Sequence, residues 1–407
     1  MKQTVTIVLA LMCSLAGSAQ IKNDSCSLEI SLITCSPGAE LYSLFGHTAI
    51  RVRDTSRKMD VVFNYGTFDD TDPLFYVNFT KGIMNYSLSA ETMDSFMMEY
   101  EEEHRSVEEQ ILNLTCDEKK KLFESLKKNA RDENRVYQYH FHTDNCTTRA
   151  AEIIENNTDS TLTYKYILPS KNFPDVRPAG SDLSFRDMIH EYLYKQHADW
   201  SAFGIDLFLG KNLDEKVSNI QAIHFLPDYL YRGLDAAKDG HKPMIIQRRS
   251  VIRFPENEKE TGLFKPLMFF AILFLLVIVF SFYGKNAAFA VTLRIFDIVF
   301  FCMLGLIGLL MAYLWIARVD DVCRNNINIF WALPTHLMFI FFIRKKKAWV
   351  KYYLLLTGVL AGILLIGFHW WPQRMNPAVL PILGIIIFRC FHLSKFSGHA
   401  EKHIVQG

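Results

Sequence analysis

"RVYQYHFHTDNCTTRAAEIIENN", residues 135–157, changes its period halfway along. The first eight residues alternate in the manner of a strand, and the part beyond Thr143 reads as a helix capped by Asp144 or Asn145. A thiol, Cys146, thus falls in the first helical turn. A strand feeding such a helix predicts an α+β domain with its chemistry at the junction. The unpaired backbone N–H groups and the dipole of a helix start favour an anion, so this thiol is expected to ionise below its ordinary range. The same N–H groups are placed to hold the oxyanion formed when a thiolate attacks an ester or amide carbonyl.

Upstream, "SLEISLITCS" and "HTAIRVRD" alternate in the strand period, with Pro37 and Gly38 as a turn between them. "MDVVFNYGTF" is a third strand, paired with "HTAIRVRD" across the charged turn at 54–58. His47 opens the second strand and Asn64 lies on the third, which offers Cys146 a base and a polar group to orient it, as a Cys-His-polar triad requires. His142 is the alternative base and Tyr65 the alternative third member. From Ser89 the pattern turns helical, with Ser89 as a cap, and "LTCDEKKKLFESLKKNAR" carries Leu122, Phe123 and Leu126 on one side. A competing reading makes Cys146 half of a disulfide, since Cys26, Cys35, Cys116 and Cys146 are an even set in an oxidising compartment and allow three pairings. The Cys and His spacings do not match a zinc site.

That compartment follows from the amino terminus. Lys2, the apolar run from Val5 to Ala16 and the small residues 17–19 have the order of a secretory signal peptide, residues 1–19. Cys13 follows Met12, where a lipoprotein signal needs a small residue, so it is expected to leave with the signal. The 407 residues carry 44 basic and 43 acidic side chains, a balance that gives no reason to expect nucleic acid as a partner. The halves differ sharply, however. Residues 20–254 are mixed and long enough for one cored domain; 255–262, "PENEKETG", read as a linker; 263–394 are dominated by Phe, Leu, Ile and Val; and 395–407 form a polar tail.

Five membrane spans are expected, at 263–283, 295–317, 327–343, 350–370 and 378–391, the third and fifth short for a bilayer core of about 30 Å. A buried bundle in a soluble protein is the alternative. With the first domain outside, the basic residues Lys285, Arg294, "RKKK" at 344–347 and the tail fall on the cytoplasmic side. Trp370 and Trp371 fit an interface belt or a lipid contact, and Asn325, Asn326 and His336 either join helices or serve function.

"ELYSLFGHTAIRV", "VFNYGTFD", "FTKGIMNYSL", "YHFHTDNCTTRA" and "WSAFGIDLFLG", in this order and ahead of the apolar half, resemble the Lnb family of Bacteroides-type lipoprotein N-acyltransferases. The His-then-Cys order is also similar to permuted papain-like enzymes related to lecithin:retinol acyltransferase. The resemblance implies a permuted papain-like α+β periplasmic domain followed by an all-α five-span membrane domain in the bacterial inner membrane. It implies that Cys146 is the nucleophile and His47 its base; Asn64 is our own inference. The implied donor is a phospholipid and the acceptor a diacylated apolipoprotein, with no cofactor or metal. A cell-envelope cysteine amidase and a non-catalytic maturation partner remain the other classes.

Overall fold

The computed structural model describes residues 26–397 apart from 41–42, 69–72, 166–182, 256–263, 284–285 and 346. The expected signal peptide, nearly all of the linker, most of the tail, Lys285 and Lys346 lie outside the described residues.

Seven antiparallel strands form the main sheet: β1 (Leu28–Cys35), β2 (His47–Asp54), β3 (Met59–Thr67), β4 (Asn85–Thr92), β5 (Val107–Leu112), β6 (Val136–Gln138) and β7 (Ile245–Ile252), in the order β7-β5-β1-β2-β3-β4-β6. β1 is nearly continuous in buried residues because both of its faces are covered. The expected pairing of β2 with β3 is present, with Ile50 opposite Phe63. The helices interleaved with these strands are α1 (Phe75–Lys81), α2 (Met93–Glu102), α3 (Cys116–Asn129) and α4 (Cys146–Glu155). α5 (Phe185–Lys195), α6 (Asp199–Phe208), α7 (Asn219–Phe225) and α8 (Pro227–Ala236) complete the domain. The main core joins Leu32, Ile50 and Phe63 of the sheet to Leu122 and Leu126 of α3 and Ile154 of α4. α2 covers the other face with Met93, Phe96, Met97 and Tyr100. Cys26 is joined to Cys116 by a disulfide that closes a 90-residue separation. A loop of that size corresponds to roughly 4–5 kcal/mol in the chain-entropy view.

Local expectations are corrected at three places. Thr92 caps α2, its side chain accepting from the Ser95 N–H, while Ser89 belongs to β4. The strand expected through His142 ends at Gln138, because His140 and Asp144 bond each other's backbone and turn the chain towards α4. β5 and β7 were not expected at all. Their charged residues hid them: Glu109 is buried and accepts from Ser31 and Arg51 of neighbouring strands.

Beyond the linker come α9 (Pro266–Phe282), α10 (Ala287–Ala317), α11 (His336–Phe339), α12 (Ala348–Ile366) and α13 (Val379–Ser397). α10, with 31 residues, and α12, with 19, are long and apolar enough to cross a membrane, and α9 is a shorter apolar helix. Their outer surfaces are greasy, with Leu275, Val299, Leu309 and Val359 exposed, whereas Asp297 and Arg389 are buried. Apolar outside and charged inside is the pattern of helices packed in lipid. Arg389 donates to both oxygens of Asp297 at 2.7 and 2.8 Å and to Ser281 at 2.9 Å, tying α13, α10 and α9 together.

The third expected span is not one helix. It is a 3-10 turn, Ile327–Phe330, followed by the single turn of α11. This broken segment packs against α10 because Gly308 lacks a Cβ, which would stand 1.7 Å from the Ala332 carbonyl oxygen. His336, fully buried, bonds Tyr353 at 2.7 Å, so this polar residue joins the broken segment to α12.

The two halves interlock. Phe203 and Leu207 of α6 enter the core of the helical half. Asn326 donates to the Leu207 carbonyl, Gln373 to that of Leu209, and Arg374 pairs with Asp187. The loops at 318–326 and 367–378 thus face the sheet domain, with Asn326, Gln373 and Arg374 among the contacts.

Candidate functional site

α4 starts where it does because Asn145 caps it. Its Oδ1 accepts from the N–H groups of Thr147 and Thr148 at 2.8 and 3.0 Å, and Thr148 returns the bond to the Asn145 N–H. Cys146 follows the cap, free and half-buried. The cap occupies two first-turn donors, so the expectation of an oxyanion held by the whole turn narrows to the Cys146 N–H.

α4 lies on β2 and β3, and Thr147 reaches the Thr48 hydroxyl at 3.1 Å. His47, one residue before Thr48, lies beside Cys146: a Cβ on Gly66 would stand 3.7 Å from both its Cε1 and Cys146 Cβ. Its Nε2 stands 2.6 Å from Asn64 Oδ1 on β3. Asn64 Nδ2 points to Glu91 at 3.4 Å, which fixes the amide with its oxygen towards the ring. Nε2 therefore carries a proton and Nδ1 is left for the sulfur. The structure brings Cys146, His47 and Asn64 together at the end of the sheet where β2 begins.

The electrostatics follow from this contact. Burial by itself would push the Cys146 thiol up, but the charge and hydrogen bond of His47, the Thr48 backbone N–H and the Thr147 hydroxyl outweigh it and hold the thiol below its ordinary range. Burial would likewise depress His47, yet the Cys146 charge and the bonds to Cys146 and Asn64 raise it. A thiolate–imidazolium pair is the state both shifts favour. Cys35, opposite His47 in the β1–β2 register, shows the contrast: burial pushes its thiol up to about 12.

The alternatives lie elsewhere. His142 has its Nε2 3.7 Å from Asp321 in the 318–326 loop, and burial pushes its pKa down. Tyr65 points into the core, its hydroxyl accepting from Asn129 at 3.0 Å. The disulfide reading of Cys146 is set aside: Cys26 bonds Cys116, and Cys35 and Cys146, the pair that this leaves, are both free.

Two contributors were not singled out beforehand, Thr48 and Gly66. Gly66, at φ +95°, is the extra residue of a bulge between Tyr65 and Thr67, and a Cβ there would stand 3.7 Å from both Cys146 Cβ and His47 Cε1. The "NYG" of β3 was the available signal. Gly66→Val forces a β-branched residue into that conformation and is expected to destabilise the domain by about 1–3 kcal/mol. An unchanged melting temperature would refute this.

Comparison with known families gives two matches. The Lnb N-terminal periplasmic domain matches residues 18–177. The Lnb transmembrane domain matches residues 257–399, so the two together take in most of the chain. No curated protein and no solved structure matches.

Proposed function

Since this chain belongs to the Lnb family, we propose that it is a membrane-embedded apolipoprotein N-acyltransferase working through a Cys146 thioester. The observation that carries the reading is the partly accessible Cys146, beside a His47 that Asn64 orients, in a periplasmic domain docked on a transmembrane domain. Family membership supports lipoprotein N-acylation; the residues support the chemistry.

The Cys146 thiolate attacks an ester carbonyl of a phospholipid, and the Cys146 N–H stabilises the oxyanion. On collapse the lysophospholipid alkoxide leaves with the proton of the His47 imidazolium, and the acyl group remains on sulfur. The α-amine of a diacylglyceryl-cysteine then attacks the thioester; His47 takes the amine's proton and the thiolate departs. An ester is exchanged for an amide through a thioester, so no cofactor or metal is needed. In this reading residues 20–254 are a permuted papain-like domain in the periplasm. The chain crosses the inner membrane five times, once through the broken segment, and ends in the cytoplasm.

The test is a reconstitution in phospholipid vesicles with a synthetic diacylglyceryl-cysteine peptide. Lysophospholipid and N-acylated peptide in equal amounts are expected. Free fatty acid in place of acylated peptide would mean a hydrolase, and no lysophospholipid would leave the maturation-partner class.

A pH dependence follows from the pair. Activity rises as Cys146 ionises, below the ordinary thiol range, and falls as His47 loses its proton, above the ordinary imidazole range. Asn64 helps to raise His47, so Asn64→Ala is expected to move the alkaline limb to lower pH and to reduce the rate about 10–100-fold. That range assumes loss of roughly 1.4–2.8 kcal/mol of orientation. An alkaline limb that stays in place in the pH–rate profile would contradict this.

A further inference from the structure

An unbroken line of aromatic rings leads away from the thiol. Tyr139 and Tyr86 pack on the same core as Cys146, and burial together with the Cys146 charge pushes Tyr86 up to about 12. Tyr86 stacks on Tyr139 at 4.4 Å between ring centroids and meets Phe68 at 5.1 Å. Phe68 stacks on Phe75 of α1 at 5.3 Å, and Phe75 is 6.4 Å from Phe79.

α1 is seated on the end of a membrane helix. Arg318 donates to the Phe79 carbonyl at 3.0 Å, the Val319 N–H to that of Lys81 at 2.9 Å, and Thr80 meets Tyr313 at 3.3 Å. At 1.5 Å per residue α10, with 31 residues, is about 46 Å long, more than the roughly 30 Å core, so part of it extends beyond the core, and its last turns are the part that meets α1. α1 exposes Phe79 (42%) on one side and Val77 (44%) on the opposite side, and Ile316 (84%) is exposed in the last turn of α10. Exposed apolar side chains on a short helix seated on the end of a span are readily covered by lipid.

We infer that α1 rests in the outer leaflet and that its Phe75 and Phe79 face, continued by Phe68, Tyr86 and Tyr139, takes the acyl chain of a phospholipid from the bilayer to Cys146. The inference rests on the acyl-transfer reading and names the route its donor follows. Aromatic and aliphatic walls hold a chain without charge, so the lipid is drawn up with its ester at the thiol and its chain trailing along the rings towards the bilayer.

The experiment compares two acyl donors. Acylation of Cys146 is followed with long-chain phosphatidylethanolamine in vesicles and with soluble p-nitrophenyl butyrate, in the wild type, Val77→Glu and Phe79→Glu. The ratio of vesicle to soluble rate is expected to fall at least 10-fold in each variant. An unchanged ratio overturns the inference, whether both rates drop together or neither does. A wild type acylated by neither ester would instead remove the acyl-transfer reading. Because a glutamate variant can fail to fold, a bimane label is also placed at Val77→Cys in a Cys146→Ala, Cys302→Ser background in vesicles. Lipids with a nitroxide on the acyl chain are expected to quench it, and an unquenched label overturns the inference.

Discussion

Cys146→Ala is expected to reduce lysophospholipid release in vesicles by on the order of 10⁴–10⁶-fold, and His47→Ala to lose nearly as much. The double variant should be no worse than either single one, because thiol and imidazole act as a unit and their losses do not add. The physical reason is local. The other free cysteine near this end of the sheet is Cys35, which is buried and held protonated, so no second thiol takes the role. Neither substitution removes a bond on which the cap depends, since the bonds that start α4 are those of Asn145, Thr147 and Thr148. The variants should therefore melt like the wild type, which separates lost chemistry from lost fold. A Cys146→Ala protein retaining a tenth of the activity would sink the nucleophile assignment.

Asp206→Ala is expected to destabilise the chain by about 3–5 kcal/mol, because it strips a buried charge of its partner. Asp206 and the Arg186 side chain are almost completely buried, 2.8 Å apart. The same carboxylate accepts from His190 at 2.8 Å and from Asn376, in an outer loop of the transmembrane domain, at 3.0 Å. The Asp206 carbonyl accepts in turn from Asn328 at 3.0 Å. One residue thus holds the charge network of α5 and α6 and two tethers across the junction of the domains. Burial alone would raise its pKa, but the charges and bonds of His190 and Arg186 bring it to about 2. A depressed carboxylate stabilises the fold above its unfolded value near 4, and that contribution is lost as the pH falls towards 2. Asp206→Asn, which keeps the shape, should lose less than the alanine variant. Thermal unfolding in lipid nanodiscs measures both, and a midpoint within a degree of wild type for Asp206→Ala would contradict the account.

What the sequence made legible was local chemistry. A cap residue, a thiol and the next apolar pair lie within a few residues of one another, so the start of α4 could be read directly from 142–154. Asn64 was reachable because "MDVVFNYGTF" could be paired with the strand that begins at His47. Most of what was missed rests on partners distant in the chain. β5 looks like a solvated acidic run until Arg51 and Ser31 are seen to take up Glu109, and Asn326 looked expensive beside an apolar stretch until α6 supplied its acceptor. The broken third segment escaped notice because hydropathy counts apolar residues and does not show whether they form one helix. Asp206 stood in plain view within "WSAFGIDLFLG", but its role depends on Arg186, His190 and Asn376 together.

The most direct measurement is intact mass spectrometry of the full-length protein after incubation with phospholipid, with and without hydroxylamine, for the wild type and Cys146→Ala. The account predicts an acyl-sized adduct on the wild type that hydroxylamine removes and that the alanine variant never forms. A wild-type protein that releases lysophospholipid and acylates the peptide without such an adduct, or an adduct that persists in Cys146→Ala, would contradict it.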